Sequence, residues 1–455
     1  MSKVIISVVD TGVQQGSAEL QTAAFQAALD KAWSMGGATV QVPAGRYYVG
    51  GLRLRSNTTL YLCSGAELYG SRDPEDYCIL KNDTLEPIPD DRRTDRFWEP
   101  FRKGIQRNYD WMNKPDSRWS NAFIRALDAE NVAIIGEPGA VIDGRDPYDE
   151  NGEEFYRGPH GITMHNCRNI TLTGYTIRNT GNWAHCINDC TNILMDGVTV
   201  QGGHDGIHCT SCNNIRIQNS SFFTGDDCIS GFANINTIVT NCECNSACSG
   251  LRLGGTNALI RDCKFYGPAK FFFRGSLSLE EKKNGAEAHR PHRVNMLFLF
   301  TYYADFSVPI PEQPGNIIIE NCAVENVDRF LHFNFSGNER WQSHRPLESV
   351  KFENIKATGV GMPLTAYGSA ETPVTLTMRN LDVSFRDDVE NTAFLHVANF
   401  DRILLENVNI QKNPDAPLVK SWTEGGQIIF RNVNYAAPED QWVNYTDEPF
   451  ICKSI

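Results

Sequence analysis

The sequence predicts an all-β fold, a parallel β-helix in which short strands stack coil on coil beneath one N-terminal helix. A strand-like segment recurs as NITLTGYTI from Asn169, NILMDGVTV from Asn192, NIRIQNSSF from Asn214, NTIVTNCEC from Asn236 and NALIRDCKF from Asn257, in steps of 23, 22, 22 and 21 residues. Each copy alternates apolar and polar residues, is rich in β-branched side chains and ends on Asn, Asp or Gly. That is the pattern of a strand with one buried face and a sharp exit. Helical periodicity is absent from 130 to 435. Units this short bury their inner faces only against their neighbours, and a propeller blade would need about 40 residues.

The elements follow in order. SAELQTAAFQAALDKAWSMGG, Ser17 to Gly37, is the one clear amphipathic helix, started near Ser17 or Glu19 and stopped by the glycine pair. It is placed to cap strand edges that the first coil would otherwise expose. The first strands lie in VQVPAGRYYVGGLRLRSNTTLYLCSGAELYGS. Residues 72–120, with Trp98, Trp111 and Trp119, interrupt the pattern, as do 267–313. Long excursions from a solenoid tend to gather on one face and to carry function. The 92–119 stretch reads as a surface loop or a wall of a cleft. Strand-like segments without a fixed step continue from Asn316, Ser349, Val374, Arg402 and Gln427. Residues 1–455 therefore read as a single β-helix domain.

Composition narrows the function. A formal charge of −13 on 455 residues argues against nucleic-acid binding and against docking on an anionic membrane. No apolar run reaches membrane-spanning length. MSKVIISVVDTG lacks the pattern of a secretory signal, so the expected location is the cytoplasm, or outside the cell if a leader has been removed. The fourteen cysteines are expected as reduced thiols. Cys167, Cys190 and Cys212 fall on successive coils, as do Cys242 and Cys263, so they read as interior ladders and not as a metal site. No cofactor and no metal is expected. Asn219, Asn241, Asn321 and Asp262 read as turn residues bonding backbone on neighbouring coils. The oligomeric state is left open.

The candidate site comes from register. A 22-residue step maps Asp205 onto Asp227 and Asp227 onto Ser249, while Ile207, Ile229 and Leu251 form an inward apolar row. His204 then falls beside Asp226, and His208 beside Ser230 and Arg252. Either Asn182 or Trp183 lies beside Asp205, and a 21-residue step brings Lys270 near Ser249. With coils about 4.8 Å apart, Asp205, Asp226 and Asp227 are expected in one patch. Crowding of that kind separates the protonation states of carboxyl groups, as acid and base catalysis requires. An Asp pair alone is more often a solvated turn; the coincidence of TGDDCIS with GHDGIH one coil earlier favours a site. His160 and Trp183 share that face and read either as sugar contacts or as packed side chains, whereas His185 falls on the inward row.

These residues resemble glycoside hydrolase family 28, the polygalacturonase group, across most of the chain. The Asp of the family's first motif is matched by Asp205 in GHDGIH, and its Gly-Asp-Asp by Asp226 and Asp227 in TGDDCIS. PAGRYYVGGLRLRSNTTLYL, IDGRDPYD, RGPHGI and NTGNWAHC also look like family segments. The resemblance implies a right-handed, pectin-lyase-like β-helix and inverting hydrolysis of a plant-type, pectin-related oligo- or polysaccharide. Asp226 would be the general acid, and Asp205 and Asp227 would activate water across a gap of ~6.5–9.5 Å. The family's Gly-His-Gly is here CSG, with Ser249 in place of His. No Arg-x-Lys follows; Arg252, Lys270 and Arg274 are the cations on offer, which admits a neutral or differently substituted sugar. His204 and His208 also depart from the first motif. A blocked cleft would make the action exo. The competing readings are a Ca²⁺-using β-helix lyase, a non-catalytic carbohydrate-binding β-helix and, more remotely, an epimerase.

Overall fold

The computed structural model describes residues 4–77, 118–284, 291–304, 313–335, 345–387, 389, 393–412 and 416–448. It is the all-β parallel β-helix expected, built in two compact units: Met1–Asp226 with Phe271–Arg293, and Asp227–Lys270 with Val294–Ile455.

In the first unit each regular coil has three strands and every ladder is parallel. His160–His165, Arg168–Thr173 and Thr176–Arg178 form one coil; His185–Asn188, Thr191–Asp196 and Thr199–Gly202 form the next. Arg168 pairs with Thr191 and Thr191 with Asn213, which are the 23- and 22-residue steps read from sequence. Alternation sends Ile170, Leu172, Ile193 and Met195 inward to complete burial, leaving the residues between them partly exposed. Each coil turns at an Asn in the left-handed region, as at Asn169, Asn192 and Asn214, with φ of 59°, 59° and 57°. The Nδ2 of Asn131, Asn169, Asn192 and Asn214 donates to Oδ1 of the preceding ladder member at 2.7–2.9 Å. The repeated Asn is thus a turn residue and an inter-coil link at once.

The N-terminal helix is shorter than expected, Thr22–Ser34. Residues before it are taken by the coil: Leu20 bridges Tyr48, and the Gln21 amide donates to the Tyr48 carbonyl. The helix buries Phe25, Ala28, Leu29 and Ala32, and the Gly36–Gly37 stop holds, both residues having positive φ. Two short helices unforeseen in the sequence, Glu153–Tyr156 and Leu279–Asn284, lie in this unit. Of the 72–120 excursion, residues 78–117, with Trp98 and Trp111, lie outside the described residues.

The second unit repeats the design. Ile229–Thr240 pairs with Ser249–Arg261, and Ser249–Arg261 with Met296–Tyr302 and Gly315–Glu320; the last coils stack Ser349–Val360, Val374–Phe385, Phe400–Gln411 and Gln427–Asn434. Asn321, Asn354, Asn380, Asn407 and Asn432 link side chain to side chain at 2.8–3.0 Å. Asn219, Asn241, Asn321 and Asp262 are the expected turn residues, all with positive φ. The Asn219 side chain donates to Asp196 Oδ1, and the Asn321 side chain accepts from Asn354 Nδ2. The 267–313 excursion is not continuous, because Met296–Tyr302 returns to the ladder.

The cysteine rows are interior ladders. Cys190 and Cys212 in the first unit, and Cys242, Cys263 and Cys322 in the second, are buried and each points its thiol at the carbonyl two residues earlier, at 3.1–3.4 Å. All twelve described cysteines are free thiols.

Candidate active site

The first unit carries two adjacent columns. Gly202 pairs with Thr224 and Cys186 with His208, so the 22-residue step sets Asn182, His204 and Asp226 in one column and Trp183 and Asp205 in the other. The Ala184 amide donates to the Asp205 carbonyl at 2.9 Å, which fixes Trp183, not Asn182, as the residue beside Asp205. Two matching turns aim the first column. Thr180 Oγ1 donates to the Asn182 carbonyl and Thr224 Oγ1 to the Asp226 carbonyl, each at 2.6 Å. Gly225 is required between Thr224 and Asp226, because a Cβ there would overlap the Phe272 carbonyl.

Arg157 binds this column from one side. Its Nη1 lies 3.0 Å from His204 Nδ1 and 3.3 Å from Asn182 Oδ1, and its Nη2 donates to Asp226 Oδ2 at 3.3 Å. Sequence reasoning did not single it out; its signal was the first letter of RGPHGI, an Arg placed just before a glycine-led strand. His160, in the preceding coil, lies 3.5 Å from Asn182 Nδ2 through its Nε2.

The second column is packed. Trp183 is 6% exposed, its ring meeting Trp119 at 5.0 Å, His160 at 5.4 Å and His208 at 4.0 Å between centroids. Of the two readings left open for Trp183 and His160, the packed one describes what they touch. Trp119, the described end of the 92–119 stretch, is a buried member of that cluster. His185 is structural, as its row suggested: Tyr175 Oη and the Gly206 carbonyl lie 2.9 Å from its two ring nitrogens.

The electrostatics have one dominant cause. Burial, aided by the Arg157 cation, pushes the His160 imidazole down to about 3. Burial with the Arg157, Arg274 and Lys282 charges holds His204 well below its usual value. Both rings are therefore neutral at pH 7. Lys282 is itself lowered to about 8, by burial first and then by Arg274 and Arg157. Arg274 packs on Gly203, pairs with Asp146 and takes its backbone bond from its own amide to the Gly203 carbonyl, at 3.0 Å. Asp146, Asn179, Gly202, Gly203, Phe271, Phe272 and Arg274 line a small open pocket in this unit.

In the second unit Asp227 is buried, 1% exposed. Its Oδ1 accepts from the Ser249 amide at 3.1 Å and its Oδ2 from Arg252 Nη1 at 3.3 Å. Ile229 pairs with Leu251 and Ser230 with Arg252, as the register foretold. The Arg252 guanidinium also lies 4.3 Å above the Tyr303 ring. Lys270 is not beside Ser249: the next coil there is Met296–Tyr302, which brings Phe298 opposite, while the Lys270 amide donates to Asn245 Oδ1 at 2.8 Å. The excursion intervenes where the sequence suggested an unbroken step.

The structure thus gathers His160, Trp183, His204, Asp205, His208, Asp226 and Arg274 in the first unit, and Asp227, Ser249 and Arg252 in the second. Buried carboxylates flanked by neutral imidazoles can exchange protons and hydrogen-bond hydroxyl groups without further help.

The comparisons agree with the motifs. Residues 99–257 match the model of glycosyl hydrolases family 28. A probable polygalacturonase of Vitis vinifera is 30% identical over 235 residues, covering 49% of this chain. The chain spans 43% of the length of that curated relative. Among solved structures, the family 28 exopolygalacturonase of Yersinia enterocolitica is similar with a TM-score of 0.54 at 16% identity, over 95% of this chain and 78% of that one. The polygalacturonase of Erwinia carotovora ssp. carotovora aligns with a TM-score of 0.50 at 14% identity, over 98% of each chain. The surface adhesin PfbA of Streptococcus pneumoniae shares the fold as well, with a TM-score of 0.55 at 15% identity, over 99% of this chain and 96% of that one. The resemblance read from Asp205, Asp226 and Asp227 therefore stands, and with it the right-handed β-helix.

Proposed function

We propose that the chain is a glycoside hydrolase that cleaves a pectin-related oligo- or polysaccharide with inversion at the anomeric carbon, working from chain ends. The observation that carries this reading is the setting of Asp226. It is a buried carboxylate in the stretch that matches the family, gripped through Oδ2 by Arg157 and flanked in its column by the neutral His204. A solvated turn has no reason to bury an Asp beside a guanidinium.

In this mechanism Asp226 gives its proton to the glycosidic oxygen as the bond to the anomeric carbon breaks. Asp205 and Asp227 take the proton of a water that attacks the opposite face. His204, as a neutral ring, hydrogen-bonds a sugar hydroxyl, while His160 packs against Trp119 and Trp183. Ser249 stands where the family has His, and Arg252 is tied to Asp227. The name of the Vitis vinifera relative supports a galacturonan-type substrate. The absent Arg-x-Lys favours a sugar held chiefly through its hydroxyls. Exo action follows if the 92–119 stretch walls one end of the cleft.

The test is hydrolysis of a panel of pectin-derived oligosaccharides, followed by reducing sugar and by ultraviolet absorbance in EDTA. New reducing ends without absorbance, lost in Asp226→Asn, support the hydrolase; an absorbing, unsaturated product would indicate a lyase. Release of short products from one end of a long chain supports exo action, and random internal scission contradicts it.

A further inference from the structure

Arg157 is 6% exposed. Its reach is unusual: Asn182, His204 and Asp226 belong to three successive coils, and one guanidinium meets all three. Two coil steps span roughly 10 Å, so the three side chains must converge on the guanidinium, whose several N–H bonds in one plane meet all of them at once. The guanidinium is held in turn by the rest of the first unit. Its Nε lies 3.5 Å from Glu154 Oε2, the Phe273 ring centroid is 5.8 Å away, and its backbone bridges Tyr148.

We propose that Arg157 is a positioning residue of the reaction: it fixes the Asp226 carboxylate by Oδ2 and, by donating to His204 Nδ1, holds that ring as the neutral tautomer with its proton on Nε2. This rests on the reading of Asp226 as the proton donor. A guanidinium has no acceptor and does not lose its proton in a protein, so the Nδ1 that meets it at 3.0 Å must supply the lone pair. The ring proton is thereby assigned to Nε2, which becomes a hydrogen-bond donor for a sugar oxygen. An imidazolium would carry a proton on Nδ1 and meet a cation, so the contact also opposes protonation of His204. On Asp226, the oxygen facing a permanent cation is a poor place for a proton, which assigns the transferable one to Oδ1. Arg157 therefore sets which atoms of two neighbouring side chains give protons, without itself touching the bond that breaks.

The test uses the full chain with ¹⁵N-labelled histidine, His204→Gln serving to assign the ring signals. A neutral ring protonated at Nε2 at pH 7, unchanged at pH 5.5, is expected. In Arg157→Met the tautomer preference is lost and kcat falls about 100-fold, as misplacement of a reacting group predicts, with KM nearly unchanged. Arg157→Lys restores part of kcat because it can still donate to one partner but cannot span three coils. A wild-type ring protonated on Nδ1, or on both nitrogens, overturns the proposal, as does an Arg157→Met protein with native tautomer and native kcat. If Arg157→Met does not fold, the wild-type spectrum and Arg157→Lys decide. Failure of the hydrolase reading shows separately, as absence of turnover by the wild-type protein, and leaves the spectra to decide on Arg157.

Discussion

Asp226 and its neighbours differ in how a single atom change is felt. Asp226→Asn keeps the shape of the side chain and an oxygen for Arg157 but removes the transferable proton. A drop in kcat of about 100- to 10,000-fold follows, with the unfolding midpoint nearly unmoved; equal turnover would remove Asp226 from its role. The buried histidines set a pH dependence of stability. His160 and His185 have folded values of about 3 and about 4 against 6.5 for the free side chain, chiefly through burial. The unfolded chain therefore binds protons first as pH falls. Their contribution is complete above pH 6.5 and is lost towards pH 3–4, by about 1.4 kcal/mol per histidine for each pH unit in that window. Urea unfolding at pH 7.5 and 5.0 should show a lower midpoint at the acid value, and an unchanged midpoint would contradict it. At this scale the GDD stretch and the register singled out Asp205, Asp226, Asp227 and Arg252 as candidates, and the family resemblance supplied their proposed roles. Register could not identify Arg157, because a residue 69 positions before Asp226 reaches it through loop geometry that no period encodes.

At the scale of the element, the asparagine turns test the account of the coils. Asn192 has φ of 59°, donates to Asn169 and accepts from Asn214. Asn192→Ala loses both bonds and puts in the left-handed region a residue that tolerates it less well than Asn, so a loss of roughly 2 kcal/mol is expected. Asn192→Gly avoids the strain and should cost less, about 1 kcal/mol. Chemical denaturation that ranks Gly below Ala would show that the turn conformation is not what selects Asn. Strand positions were legible because alternation and a step near 22 residues follow directly from the pleat and the coil. The start of Thr22–Ser34 was not, since Leu20 and Gln21 satisfy their backbone against Tyr48 instead of continuing the helix. Lys270 shows the same limit: a step count fails wherever a loop is inserted, and Phe298 takes the position it was assigned.

For the molecule as a whole, repetition made the fold class readable, whereas the chemistry depends on departures from repetition. GHDGIH and TGDDCIS occupy equivalent turns in successive repeats, and both replace the apolar-and-hydroxyl composition of ordinary coils with acids. The substrate is less legible, because Ser249 and Arg252 break the family pattern and the 78–117 stretch lies outside the described residues. The most direct test of the central claim is proton NMR of the first product formed from a pectin-derived oligosaccharide of known anomeric configuration, in EDTA, with Asp226→Asn alongside. Initial product of inverted configuration, absent in Asp226→Asn, is the predicted result. Initial product of retained configuration, or turnover that survives in Asp226→Asn, would contradict it.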